Sequence, residues 1–249
     1  MEDFSQYSDD YYVNMNLNTE MELPSNRDTV LHFFEQMKKA FPDLSNFYTR
    51  ENGDFVLEGD KEQDQYRWLA IEPKRLCSGR VNPETLDDAY RQHEMLLELA
   101  PHLLTISVLD CEALDVMYGF DFNFEGNHDE VVAEALGVGT ALEGLSEIPG
   151  ARVINFEPSM TFTLDAACRL QCRLAVETRT SAYQVRTGDY DGEQISLYFT
   201  VRQYWGTGTG TQRGFLESFR NQHEIGEEIV SKIVVPKIVR PIAQAIAAR

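Results

Sequence analysis

The residues whose types and spacing come nearest to chemistry lie on the last helical segment of the sequence: His223 beside Arg220, with Glu217, Glu224, Glu227 and Glu228. A histidine next to a carboxylate can act as a general acid/base pair, so Glu224/His223 would serve a hydrolase or lyase if both faced a cleft. The same spacing suits i,i+4 ion pairs on an exposed helix face, which is common in an acidic protein. Other nucleophile and metal patterns are weaker. There is no Gly-x-Ser-x-Gly elbow. Cys77 adjoins Ser78-Gly79, but nothing local marks an activated thiol. Cys168 and Cys172, four apart in an expected strand, would share a face about 13 Å apart, too far to share a metal. The five histidines (His32, His93, His102, His128, His223) are dispersed, and His93 falls on an apolar stripe where a hydrogen-bonded core role fits. Asp110, Glu112 and Asp115 around Cys111 read as a solvated turn. The run Gly206–Thr211 precedes a helix and would present N–H groups to an anion, but it lacks both the P-loop ending and the dinucleotide spacing. The expectation is no catalytic residue, no metal and no cofactor.

Aromatic side chains are the remaining suggestive group. Tyr118, Phe120, Phe122 and Phe124 alternate along one strand, and Phe156, Phe162, Tyr198, Phe199, Tyr204 and Trp205 follow on others. Phe120, Phe122, Phe162, Phe199 and Trp205 are the candidate lining of a cavity between sheet and C-terminal helix, which would take a small apolar ligand. The plain alternative is a packed aromatic core.

These groups are positioned by a pattern that runs twice. Met15, Leu17, Thr19, Met21 and Leu23 alternate with polar residues as a half-buried strand, and Pro24-Ser25-Asn26 leads into a helix bearing Val30, Phe33, Phe34, Met37 and Phe41. Pro42 closes that helix. A hairpin about Asn52-Gly53, strands at Tyr66–Ile71 and Leu76–Val81, and a helix from Pro83 to Pro101 complete the first half. Leu103–Leu109 reads as extended. At Val116 the pattern restarts at an offset of 101 residues, Met15 on Val116 and Asp28 on Asp129. A helix interrupted by Gly137, Gly139 and Gly144 follows, then three long strands: one carrying Ile154 to Leu164, and others at Leu170–Val176 and Ile195–Val201. A long helix kinked or divided by Pro236 and Pro241 ends the chain. The fold class is therefore α+β, built from duplicated β-α-β-β-β-α units that form antiparallel sheet with helices on one face. Residues 1–11 read as an acidic flexible tail with Phe4, Tyr7 and Tyr11, which would otherwise be a docking motif. Residues 12–110 form the first unit and 111–249 the second.

Composition narrows the function. Net charge is −19, from 41 acidic and 22 basic side chains, which disfavours nucleic-acid binding. The basic residues near the end (Lys232, Lys237, Arg240, Arg249) suit a helix C-terminus. No apolar run approaches a membrane span, Met1–Phe4 lacks the pattern of a secretory signal, and four scattered cysteines read as reduced thiols; a cytoplasmic location is expected.

The run Trp68-Leu-Ala-Ile-Glu-Pro-Lys-Arg-Leu76, leading to a helix with Tyr90 and Leu96, together with a last helix holding His223, resembles a sporadically distributed bacterial protein family of about this length and unknown function. The acidic N-terminal segment and the Pro236/Pro241 ending depart from it. The resemblance implies a duplicated α+β architecture and a bacterial source, and supplies no activity. The leading expectation is a non-catalytic binding or adaptor protein that engages a protein partner through its sheet face or acidic tail. A small-apolar-ligand protein comes second, and the Glu224/His223 hydrolase or lyase third. An uncovered sheet face or edge also admits a homo-oligomer.

Overall fold

The computed structural model describes residues 4–137, 139, 144–145, 148–205 and 214–249. Its centre is one nine-stranded antiparallel sheet in the order β2-β3-β4-β5-β1-β6-β9-β8-β7. The strands are β1 (Asp10–Thr19), β2 (Asn46–Thr49), β3 (Phe55–Glu58), β4 (Tyr66–Glu72), β5 (Arg75–Val81), β6 (Cys111–Asn123), β7 (Ser159–Thr163), β8 (Leu170–Glu177) and β9 (Gln194–Tyr204). The helices are α1 (Arg27–Ala40), α2 (Leu86–Leu103), α3 (His128–Leu136), α4 (Ala182–Thr187), α5 (Phe215–Ile229) and α6 (Arg240–Ala247), with a π-helical stretch Val230–Val239 joining the last two. The fold is α+β, as the alternation implies. The first half supplies one strand more than the β-α-β-β-β-α formula, because both arms of the Asn52-Gly53 hairpin join the sheet.

Strict period-two burial explains the central strand. In β1, Tyr11, Val13, Met15, Leu17 and Thr19 are buried, whereas Tyr12, Asn14, Asn16 and Asn18 are only half-buried. Met15 faces Val116 directly across β1 and β6. The 101-residue offset recurs at the helix starts: Asn26 caps α1 by accepting from the Asp28 and Thr29 amides, and Asn127 caps α3 by accepting from Asp129 and Glu130. The expected boundary at 110/111 falls where a 3-10 turn, Val108–Asp110, enters β6, and the sheet continues across it.

Several boundaries differ from the sequence reading. Tyr11, expected in a flexible tail, is a buried strand residue, and Phe4 is buried against it edge-to-face at 5.6 Å. Burial of the Phe4 and Tyr11 rings orders this segment while Asp9 stays exposed. Met21, expected on the buried side of a strand, is 65% exposed beyond the end of β1. Pro101 does not stop α2, which ends at Leu103; a proline in the last turn forfeits a single ladder bond. Ile154 and Leu164 lie outside β7, which holds only Ser159–Thr163. Cys168 is not in a strand but in an exposed turn at φ 54°, while Cys172 is buried in β8. Pro236 lies within the π-helical stretch, and Pro241 is in the first turn of α6, where proline is tolerated. The terminal helix changes to π-type bonding at Val230 and back at Arg240, with right-handed helical backbone at both junctions, so Pro236 falls inside the π-helical stretch and not at a break.

Candidate functional site

The strand register sorts every sheet side chain onto a face covered by helices or an open one. Phe120, Phe122 and Phe199 belong to the covered face at 0, 2 and 1% exposure, absorbed by packing. Phe162 sits half-buried on β7, and Trp205, just past β9, packs edge-to-face on Phe215 at 5.4 Å. The five candidate ligand residues therefore share the core side of the sheet without converging on one opening. An apolar depression of about 970 Å³ lies elsewhere, between the end of α2 (Leu97, Pro101) and the start of α5 (Phe215, Leu216). The Gly206–Thr211 run falls outside the described residues.

Glu224 is exposed, while His223 stacks on Tyr90 at 4.2 Å, so the two do not form a pair in a cleft. Burial lowers the His223 pKa. Its neighbours form a polar core. The Tyr90 and Tyr118 hydroxyls meet at 2.8 Å, and Tyr118 donates to the His223 carbonyl at 3.2 Å. His93 is fully buried with Nδ1 2.9 Å from the Ser78 hydroxyl, and burial pulls its pKa down to about 3. The tripeptide Gln-His-Glu occurs at 92–94 and again at 222–224, a signal that marks this core in the sequence. Both glutamines are fully buried and clamp strands: Gln92 donates to the Gly79 carbonyl, Gln222 to those of Leu114 and Val201. Beneath α2, Arg67 and Arg80 face each other in register; Asp88 pairs with both, and Asp43 supplies Arg67 with a second carboxylate. These groups hold helices to the sheet; none is exposed to a ligand. Cys77, Cys111 and Cys172 are buried, with pKa values pushed up, to about 12 for Cys111 and about 11 for Cys172. Among the described residues no three His, Cys, Asp or Glu side chains are placed to hold a metal ion. No helix among them is long and apolar enough to cross a membrane.

The open face is different in kind. Asn14, Asn16 and Asn18 run down its middle on β1, and aromatic rings lie on glycines to either side. The Trp68 indole covers Gly79, and the Tyr12 ring covers Gly119, each its cross-strand partner. A Cβ at either glycine would fall about 2 Å from the ring, so only glycine allows this bed. Two depressions open there.

The first, about 480 Å³, is lined by Asp10, Tyr12, Asn14, Lys61, Glu62, Gln63, Asp64, Tyr66, Trp68 and Asp121. Asp10 and Asp121 stand directly opposite on β1 and β6, an arrangement of like charges that costs stability. Burial raises the Asp121 pKa, with repulsion from Asp10 adding to it against opposing hydrogen bonds from Ser196 and Tyr12. Tyr12 donates to Asp121 at 3.3 Å, and burial pushes its own pKa up. Asn82 at the rim adopts φ 46°, which asparagine tolerates, and donates to Asp10 at 2.8 Å. Lys61 is tied to Glu58 at 2.8 Å. This end is acidic.

The second, about 380 Å³, is lined by Asn16, Arg75, Asp115, Met117, Thr161, Gln171, Arg173, Thr200, Arg202 and Tyr204. Arg202 forks onto Asp115 at 2.5 and 2.6 Å, which raises its pKa and fixes its plane. This end is basic. Asp121 stands opposite Ser196, and Asp115 opposite Arg202, so the charged ends are six residues apart along β9, about 20 Å. The residues come from β1, β4–β9 and the loop before β4, which is why no local motif announced them.

No family model matches the chain, and no curated protein matches it. The resemblance carried by Trp68–Leu76 and His223 therefore stays an expectation. Among solved structures, the di-domain ARO/CYC BexL from the BE-7585A biosynthetic pathway is similar over 96% of this chain and 99% of its own, at 9% identity and a TM-score of 0.23. At that TM-score the likeness carries no argument about what the present chain binds or does.

Proposed function

We propose that this chain is a non-catalytic binding protein that engages a protein partner along the open face of its sheet. The occupant is an extended polar segment with a basic side chain at Asp10/Asp121 and an acidic one near Arg173/Arg202. The observation that carries the reading is the charge polarity of that face, with two carboxylates in register at one end and three arginines around the other. The separation of about 20 Å corresponds to charges about six residues apart on an extended chain. Tyr12 and Trp68 supply flat surface beneath the segment, and Asn14 and Asn16 supply amides for its backbone.

The test uses a Trp205→Phe background, so that Trp68 fluorescence reports alone. Nine-residue peptides with one lysine and one glutamate spaced six apart should bind, and peptides of the same composition spaced two apart should bind at least ten-fold more weakly. Thr200→Phe, which puts a bulky ring on the open face of β9 without adding a second indole, should abolish the signal change. Equal affinity for the two spacings, or indifference to Thr200→Phe, would overturn the reading.

A further inference from the structure

In a chain of net charge −19, with 22 basic residues, three arginines gather around one depression whose single lining carboxylate among the described residues is already used. Asp115 is 5% exposed, and its oxygens accept the Arg202 fork and the Asn18 amide at 3.0 Å. It cannot also neutralise the others. Arg75 is held by Glu72 at 2.7 Å. Arg173 forms no ion pair among the described residues, and its bond to the Ser159 hydroxyl is long at 3.4 Å. Its cross-strand neighbours are Thr161 and Thr200, both neutral hydroxyls. Arg202 uses three donors, two on Asp115 and one on Tyr204, leaving two of the five a guanidinium carries. Asn16, Gln171 and the two threonines add uncharged donors around the same space.

We propose that this depression is an oxyanion site, in which Arg173 and Arg202, aided by Arg75, hold a carboxylate or phosphate group of the bound partner segment. The proposal rests on the reading of the open face as the binding surface, and names the chemistry at its basic end. Planar guanidinium forks match the paired oxygens of either group, and an anion supplies the counter-charge that Arg173 lacks. Three arginines disfavour a cation, and an apolar group would leave Arg173 without a counter-charge and the two remaining Arg202 donors without partners.

The experiment follows the arginine Nε–H signals by NMR while inorganic phosphate or acetate is added at ionic strength fixed with chloride. Saturable shifts at Arg75, Arg173 and Arg202 are expected, at least ten-fold weaker in affinity in Arg173→Gln. Signals that move no more than that of exposed Arg220 would overturn the proposal. A second arm uses the spaced peptides with glutamate, phosphoserine or glutamine at the anionic position. Tighter binding of glutamate identifies a carboxylate source and tighter binding of phosphoserine a phosphate source; equal affinity for glutamine sinks the oxyanion site. If phosphate binds at these arginines and no peptide does, the anion site stands and the extended partner falls.

Discussion

Gly226 offers a test in which two effects of known size oppose each other. It lies within α5, where alanine in place of glycine ordinarily stabilises by about 1 kcal/mol. A Cβ at Gly226, however, would lie 2.5 Å from Cε2 of the Tyr118 ring and 3.0 Å from its hydroxyl oxygen. That ring cannot swing aside. It is 0% exposed, and its hydroxyl is engaged by both Tyr90 and the His223 carbonyl. Overpacking of this kind costs about 1–3 kcal/mol, and each displaced hydrogen bond about 1 kcal/mol more. The packing term wins, and Gly226→Ala should lose about 1–2 kcal/mol. For a chain of this length each kcal/mol lowers Tm by about 2–4 °C. Urea denaturation of four proteins decides it: the parent, Gly226→Ala, Tyr118→Val and the double variant. With the ring removed, the alanine should become neutral or stabilising. A Gly226→Ala protein as stable as the parent in the presence of Tyr118 would refute the claim that this ring is immobile.

His93 should make stability depend on pH in a defined window. Its folded pKa of about 3 lies below the unfolded value of 6.5, so the unfolded chain binds the extra proton between them. Its contribution is complete above pH 6.5 and declines as pH falls toward 3; His93→Gln should flatten the parent's slope across that window in denaturant titrations. A parallel slope in both proteins would count against a buried neutral imidazole. The two asparagine caps should differ although they occupy matched positions. Asn26→Ala should cost about 1 kcal/mol, the loss of an exposed cap. Asn127→Ala should cost more, because Asn127 is 4% exposed and also donates to the Val153 carbonyl at 2.8 Å. Thermal melts of the two variants read the difference directly.

What the sequence yields here follows from which forces are local. Alternation in β1 and β6 is a local consequence of one buried face, so Met15 and Leu17, and Val116, Tyr118 and Phe120, are legible as residues of one side, whereas Val13 lies before the point at which the alternation becomes readable. Asn26 and Asn127 cap by contacts within three residues, and the glycine of the Asn52-Gly53 turn adopts φ 93° for reasons contained in the turn. The ends of elements proved less legible, because tertiary burial decides them. Tyr11 extends β1 backwards by packing on Phe120 at 5.1 Å, and α4 is a short helix held by a capping box at Ser181/Gln184 with little apolar pattern of its own. The candidate site was the least legible. Asp10 and Asp121 become neighbours, and Asn16 and Arg173 come to line one depression, only through the order β5-β1-β6-β9-β8, in which the β1–β6 pairing joins residues about 100 apart. The aromatic residues expected to bind a ligand were conspicuous for the opposite reason: they are what the core is made of.

The place of β1 has a consequence for how the protein is made. Of the nine described strands it is synthesised before the other eight, yet its final position is interior, with β5 on one side and β6 on the other. Once residues through Val81 have left the ribosome, β1 can pair with β5, but its second edge and part of the Val13–Leu17 face wait until Cys111–Asn123 emerge. At about 5–20 residues per second that interval is seconds long. For that time the nascent chain carries an unpaired, apolar strand edge. Asn14, Asn16 and Asn18, whose amides face the open side, keep at least one surface of that exposed strand polar while it waits.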